Sequence, residues 1–287
     1  MTGLIDVGGG MKCSYSAGLY DYFMDNGIEF DYYLGVSAGS MNLLSYIAGE
    51  RGRNIKIYRS SAEGNEYLSI SNFIHSGAYM NYEKVSEDFY SDHGADPFDF
   101  KTFFSSEKPF VVCATEAVDA VTEYFDRSSM TDRKSVLDII CASCCIPVVS
   151  KAVEINGKEY FDGGLVDPIP FMKAFDDGCD KIVVVLSAPA DQKKEHLPGM
   201  NIIAPALLRE YPLIDDIIVD RPIVYNYLIR CLRKYVQQGR ALLLSPEEIP
   251  GATVLAKDRE VVDKLYDNGY RDGLKYINEI KRLLEKN

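Results

Sequence analysis

The chain has 287 residues, 47% of them hydrophobic and 26% charged, ordinary values for a globular protein long enough for one large α/β domain or two small ones. Forty-three acidic against 31 basic residues leave a formal charge of −12, which repels phosphate backbones at long range and argues against a nucleic-acid partner. Seven cysteines in no regular framework, no leader-like N-terminus and no apolar run near the ~20 residues a bilayer requires point to the cytoplasm, with at most peripheral contact at the inner face of a membrane.

Leu4 to Val7 reads as a first strand. After Gly8-Gly9-Gly10, the residues Tyr15, Leu19, Tyr22 and Phe23 recur at helical spacing until Asn26-Gly27 stops them. Tyr32 to Gly35 is a second strand, and Met41, Leu44, Ile47 and Ala48 line one face of the helix that follows. Residues 51–106 carry no clean period, with short helical stretches around Tyr82 to Tyr90. Phe110 to Thr115 is a buried strand with which Val121 to Phe125 pairs, and Ser135 to Cys145 is a helix ended before Pro147. Val153 to Phe161 alternates about Asn156-Gly157, a two-residue hairpin signal. Pro168 to Asp177 is then a helix and Lys181 to Ser187 a core strand. Pro222 to Gln237 and Asp258 to Glu285 are amphipathic helices with the strand Ala241 to Leu244 between them.

This alternation predicts an α/β protein with a mostly parallel sheet. Residues 1–190 form its core, and residues 191–287 a mainly helical extension packed on that core as one continuous unit. Apolar residues crowd 200–235, among them Ile202, Leu207, Leu208, Ile218, Tyr225 and Leu228. Pro205, Pro212 and Pro222 are expected to divide that stretch into short pieces suited to covering a site.

Three glycine-centred motifs fall where ligands gather in such sheets, at the strands' carboxyl ends. Gly8-Gly9-Gly10 opens a helix after strand one, so its N–H groups can approach an anion without side-chain obstruction. A tight turn or a dinucleotide fingerprint would use the same triplet, although the fingerprint wants glycine at Cys13. Gly35-Val36-Ser37-Ala38-Gly39 matches the sharp strand-to-helix elbow on which a serine nucleophile projects. Asp162-Gly163-Gly164 follows the hairpin arm and presents a carboxylate able to take that serine's proton. Taken together, oxyanion donors, serine and carboxylate make a complete acyl-transfer set.

These motifs, in this order and spacing, resemble those of the patatin-like phospholipases, and the likeness extends through Ala142-Ser143 and Ile146-Pro147 to the Lys181 to Ser187 strand. The resemblance implies a three-layer α/β/α fold and a lipid acyl hydrolase with a Ser37-Asp162 dyad. It implies oxyanion and substrate contacts from Gly8, Gly9, Gly10, Met11 and Lys12, elbow glycines Gly35 and Gly39, and an acid loop through Gly163 and Gly164. A lipid or ester substrate, neither metal nor organic cofactor, and transient contact with a membrane surface follow from it. Two positions depart from the family pattern, which usually has Arg at Lys12 and Gly at Cys13; a residue other than glycine at position 13 is strained if φ there is positive.

Three other readings compete with this one. A Ser-His-Asp hydrolase would need His75, His93 or His196, of which only His196 follows the acid, in the charged stretch Lys193-Lys194-Glu195-His196. Cys141-x-x-Cys144-Cys145 lies at a helix end without a second pair, so packing of small residues accounts for it better than redox or zinc chemistry. A non-catalytic lipid-binding or interaction protein on the same fold would keep the motifs and lack Ser37-dependent turnover.

Overall fold

Alternate residues along the central strands feed two separate cores, and that alternation sets the layers. The computed structural model describes residues 1–63, 84, 87, 90–94, 96–147, 150–196, 209–255 and 258–285. Strand β1 (Thr2–Asp6) leads through the glycine loop and a 3-10 turn into α1 (Ser14–Asp25), and β2 (Tyr32–Val36) turns directly into α2 (Ala38–Ile47). Next come α3 (Arg53–Glu63), the short α4 (Phe100–Ser105), β3 (Phe110–Glu116), β4 (Thr122–Phe125) and α5 (Arg133–Cys144). The hairpin β5 (Val153–Ile155) and β6 (Lys158–Asp162) precedes α6 (Phe171–Asp176), β7 (Lys181–Val185), α7 (Pro212–Gln237), β8 (Ala241–Leu244) and α8 (Arg259–Leu284).

All eight of these strands belong to one sheet. Strands β3, β2, β1, β7 and β8 run parallel to one another in that order, while β4, β5 and β6 pair antiparallel at one end. On one face, Leu4, Tyr33, Val112 and Val183 pack with Leu19 and Phe23 of α1, Leu44 of α2, Ile140 of α5 and Leu265 of α8. On the other, Ile5, Leu34, Val111 and Val184 pack with Phe171 of α6 and Tyr225, Ile229 and Leu232 of α7. Burying such a side chain contributes about 1.5–3 kcal/mol, so strands apolar on both faces favour a three-layer α/β/α sandwich.

The pairing of β3 positions the site. Each residue in a sheet has one partner per edge, and β4 occupies one edge of β3 from Val112 to Thr115. The other edge is shared end to end: β2 runs along it as far as Cys113, and β6 arrives from the opposite direction to end at Asp162 beside Ala114. The residue after β2 and the last residue of β6 are thereby brought face to face. The hairpin that delivers β6 turns on Asn156 and Gly157, both at positive φ (53° and 80°), as a two-residue hairpin demands.

Pro212 and Pro222 do not divide the later region. Pro212 occupies the first turn of α7, where no N–H is needed, and Pro222 lies inside the same 26-residue helix, which begins ten residues before the helix expected from the sequence. The expectation of short pieces is corrected at Pro212 and Pro222. Ile202, Pro205, Leu207 and Leu208 lie outside the described residues, as does most of Tyr82 to Tyr90. Helices α3 and α4 occupy the stretch that carries no clean period.

Helix α8 crosses α1 at close range. A Cβ on Gly18 would lie 2.0 Å from the Tyr266 carbonyl oxygen, and one on Gly269 would lie 1.9 Å from that of Tyr15. Around the crossing, the Tyr15 hydroxyl donates to Asp272 at 2.9 Å and the Tyr266 hydroxyl to Asp21 at 2.8 Å.

Candidate active site

Strand β2 ends at Val36 and α2 starts at Ala38, so Ser37 alone makes the turn, at φ 55° and ψ −137°. A non-glycine residue held there costs about 1–2 kcal/mol and persists only when its surroundings fix it. Its N–H donates to the Ser143 hydroxyl at 2.8 Å, and its carbonyl accepts from the Ser40 hydroxyl at 2.6 Å. The elbow glycines are required for closeness: a Cβ on Gly35 would sit 2.4 Å from the Ser40 Cα, and one on Gly39 would sit 2.5 Å from the Asp6 carboxylate.

Asp162 is fixed as firmly. Its N–H donates to the Cys145 carbonyl at 2.8 Å, its carbonyl accepts from the Thr115 hydroxyl at 3.0 Å, and its carboxylate accepts from the Gly164 N–H at 2.8 Å. The Ser37 side chain lies beside that carboxylate. Burial pushes the Asp162 pKa up, opposed by the Ser37 hydroxyl, the Gly164 amide and the charge of Arg221. Gly163 lies flat against β3, where a Cβ would approach the Cys113 carbonyl to 2.3 Å. The Gly164 carbonyl accepts from the Arg221 guanidinium.

The glycine loop takes φ of 71°, 137° and 58° at Gly8, Gly9 and Gly10. A Cβ on Gly8 would lie 2.7 Å from that of Ser37, so the loop borders the elbow directly. Two of its amides are already used: Gly8 donates to the Asp6 carboxylate at 3.1 Å and Met11 to the Val254 carbonyl at 2.9 Å. The Gly9 and Gly10 amides have no acceptor among the described residues. Lys12 folds back beside Gly9, and burial lowers its pKa. Cys13 has φ −73°, so the departure from glycine at this position carries no strain.

A cavity of about 850 Å³ opens over these groups, within the usual range for small-molecule sites. Gly8, Gly9, Gly10, Lys12, Ser37, Asp162 and Gly164 line it, with Ile146, Pro147, Leu165, Ile218, Pro222, Tyr225 and Val254 as apolar wall and Lys194, His196 and Arg221 as further polar groups. Ser37 and Asp162 are each 8% exposed, both inside this cavity. A more open hollow of about 730 Å³ near Arg51 and Glu247 contains none of the three motifs.

A model of the patatin-like phospholipases matches residues 7–175, well over half of the chain and all three motifs. The chain belongs to the patatin-like phospholipase family. A model of a domain of unknown function matches residues 211–285, the region of α7, β8 and α8. An Escherichia coli K12 protein, the uncharacterized YjjU, is 30% identical over 189 residues, 65% of this chain and 52% of that protein. The chain thus spans about half the length of that relative. The crystal structure of VipD from Legionella pneumophila aligns at a TM-score of 0.47 and 12% identity, over 96% of this chain and 66% of that one.

Beyond the motifs, this patatin-like site relies on residues that carry little signal in the sequence. Asp6 is buried beneath the glycine loop, where it accepts from Gly8 and, at 2.9 Å, from the Tyr20 hydroxyl; burial pushes its carboxyl up to about 6. A carboxylate two residues before a glycine triplet is the cue that could have found it. Ser143 contributes an acceptor for the Ser37 amide. Lys194 and Arg221 come from beyond the patatin-like match, and no local pattern marks them. Cys141, Cys144 and Cys145 form no disulfide among the described residues, and burial raises their thiol pKa values. Among the described residues, no group of three or more His, Cys, Asp or Glu side chains is placed to hold a metal, and no helix is long and apolar enough to cross a membrane.

Proposed function

We propose that this protein is a serine acyl hydrolase acting on lipid esters, with Ser37 as nucleophile and Asp162 as its base. The observation that carries the reading is that Ser37, held at positive φ, lies beside the buried Asp162 carboxylate in one cavity, bordered by the Gly9 and Gly10 amides, which have no acceptor among the described residues. As the Ser37 oxygen bonds to the ester carbonyl carbon, its proton passes to Asp162. The negative charge on the carbonyl oxygen is met by the amides of Gly9 and Gly10, donors preorganised out of bulk water. Collapse of the tetrahedral intermediate breaks the bond to the leaving alcohol, which takes the proton from Asp162. Water then attacks the acyl-enzyme by the same route, with Asp162 again accepting a proton, and releases the fatty acid and Ser37.

The apolar wall from Ile146, Leu165, Ile218 and Tyr225 suits an acyl chain. Each buried methylene contributes about 0.8 kcal/mol, so kcat/KM is expected to rise with chain length until the wall is covered. Labelling with a fluorophosphonate followed by peptide mapping tests the assignment. Modification at Ser37, abolished in Asp162→Asn, is expected; no label at Ser37 would end the hydrolase reading. His196 also lines the cavity, although its side chain is exposed, and loss of labelling in His196→Ala with retention in Asp162→Asn would favour a histidine base.

A further inference from the structure

Glycine loses more conformational freedom on ordering than any other residue, and the loop Gly8-Gly9-Gly10 holds three in a row at positive φ. Such a loop needs fixed ends. At its far end the Met11 amide donates to the Val254 carbonyl at 2.9 Å, and at its near end the Gly8 amide donates to the Asp6 carboxylate at 3.1 Å. The amides of Gly9 and Gly10, which lie between, have no acceptor among the described residues. Along the chain the order is one held amide, two unclaimed ones and one held.

Asp6 is only 1% exposed, and among the described residues no cation partners it. A buried carboxylate without a cation is costly unless hydrogen bonds satisfy it. Its donors come from two sides: one oxygen accepts from the Gly8 amide and the other from the Tyr20 hydroxyl of α1 at 2.9 Å, with Ser16 of the first turn of α1 beside it. Tyr20 is itself fully buried and stacks on Tyr46 of α2, ring centroids 5.2 Å apart. Against the opposite flank lies Gly39, in the first turn of α2, where a Cβ would come within 2.6 Å of the carboxylate carbon. The Asp6 backbone is registered between Gly35 of β2 and Val185 of β7. One side chain is therefore braced by the sheet, by α1 and by the elbow that carries Ser37, with one oxygen presented to the loop.

We propose that Asp6 is the positioning residue of the glycine loop, holding the Gly8 amide so that the Gly9 and Gly10 amides stay free for an oxygen of the ester at Ser37. A full negative charge beneath the loop would oppose an oxyanion above it. What the loop uses is the capacity of the Asp6 oxygen to accept, which an amide oxygen in the same place shares. The effect on rate rests on the acyl-hydrolase reading, whereas the hold on Gly8 is read without turnover.

The test has a spectroscopic arm and a kinetic arm. In the first, Ser37→Ala protein carrying isotope-labelled glycine is followed by NMR between about pH 5 and pH 8. Burial pushes the Asp6 carboxyl up to about 6, and it keeps the groups facing Asp6, namely Cys13, Tyr20 and Tyr58, neutral across that range. The Gly8 amide proton should shift through a transition near pH 6 by more than those of Gly9 and Gly10, and the transition should vanish in Asp6→Asn. In the second arm, Asp6→Ala should lower kcat for ester hydrolysis at least tenfold with KM near the parental value. Asp6→Asn, which keeps an acceptor oxygen, should restore most of that loss. Tyr20→Phe removes the other hydrogen bond to the same carboxylate and should lower the melting temperature while kcat stays within about threefold of the parent. A Gly8 amide that does not respond near pH 6 would overturn the role even where Asp6→Ala fails to fold, and so would parental kcat in a folded Asp6→Ala. Equal falls in kcat for Asp6→Ala and Tyr20→Phe would also overturn it, leaving Asp6 a part of the fold alone. A Gly8 response that Asp6→Asn abolishes, in a protein that hydrolyses no ester, would uphold the hold on the loop and remove the hydrolase.

Discussion

The amide of Ser37 donates to the hydroxyl of Ser143, 106 residues further along the chain, at 2.8 Å, and that hydroxyl in turn donates to the Cys113 carbonyl at 2.7 Å. One side chain therefore ties the elbow after β2 to the strand along which β6 brings Asp162. Ser143→Ala would leave a buried amide without its acceptor, a loss of about 1–3 kcal/mol. A fall in kcat of at least tenfold with KM near the parental value is expected, together with a lower melting temperature; parental kcat would show that the bond does not position Ser37.

The backbone at Ser37 gives a prediction that separates strain from chemistry. Ser37→Gly and Ser37→Ala both remove the hydroxyl, and both should be inactive. Only glycine relieves the positive φ, so in urea denaturation Ser37→Gly should be about 1 kcal/mol more stable than Ser37→Ala. Equal midpoints would mean that the elbow stores no strain.

Substitutions in the glycine loop should act on rate. A Cβ on Gly9 would meet the Ser187 hydroxyl at 2.1 Å and one on Gly10 the Val254 carbonyl at 2.4 Å, so Gly9→Ala or Gly10→Ala must move the loop. Loss of one aligned donor costs about 3 kcal/mol in the transition state. A drop in kcat of about a hundredfold is expected, and a change confined to KM would assign the loop to substrate binding alone.

As the proposed base, Asp162 would work only when ionised, so kcat/KM should rise with pH. Burial places the acid limb above the ordinary carboxylate value of about 4. The charge of Arg221 lowers this pKa, so Arg221→Gln should carry the limb to higher pH. An unmoved or lowered limb in that variant would mean that another group titrates.

Asp6 should leave a mark on stability. Its carboxyl, held up at about 6 by burial, binds a proton more tightly folded than unfolded. The stabilisation from that proton is present at low pH and lost as pH rises through 6. Between pH 5 and pH 7 the parent should lose about 1 kcal/mol more unfolding free energy than Asp6→Asn. Parallel stability curves for the two proteins would contradict the raised value.

The elements that the sequence announces best are those whose signal is local. The short strand runs of β1, β2, β3 and β7, the Asn156-Gly157 hairpin and the elbow around Ser37 each declare themselves within a few residues. Residues that act across the chain do not: Ser143 reads as one more small residue near a helix end, and Lys194 as part of a solvated charged run. Pro222 misleads for a related reason, since tertiary packing of Tyr225, Ile229 and Leu232 onto the sheet outweighs one missing hydrogen bond. The departure at Cys13 is harmless because positive φ ends at Gly10, before the helix begins.

The hold of Val254 on Met11 has a consequence for the order in which the protein becomes competent. At about 5–20 residues per second, roughly ten seconds or more of synthesis separate the loop from the carbonyl that fixes it. Helix α1, which continues from that loop, likewise packs at Gly18 against α8, which is synthesised last. A nascent chain therefore carries Ser37 well before the carbonyl that holds the proposed oxyanion loop, and reactivity is expected only after residue 254 has left the ribosome. Chains stalled near residue 240 should stay unlabelled by a fluorophosphonate that marks the released protein.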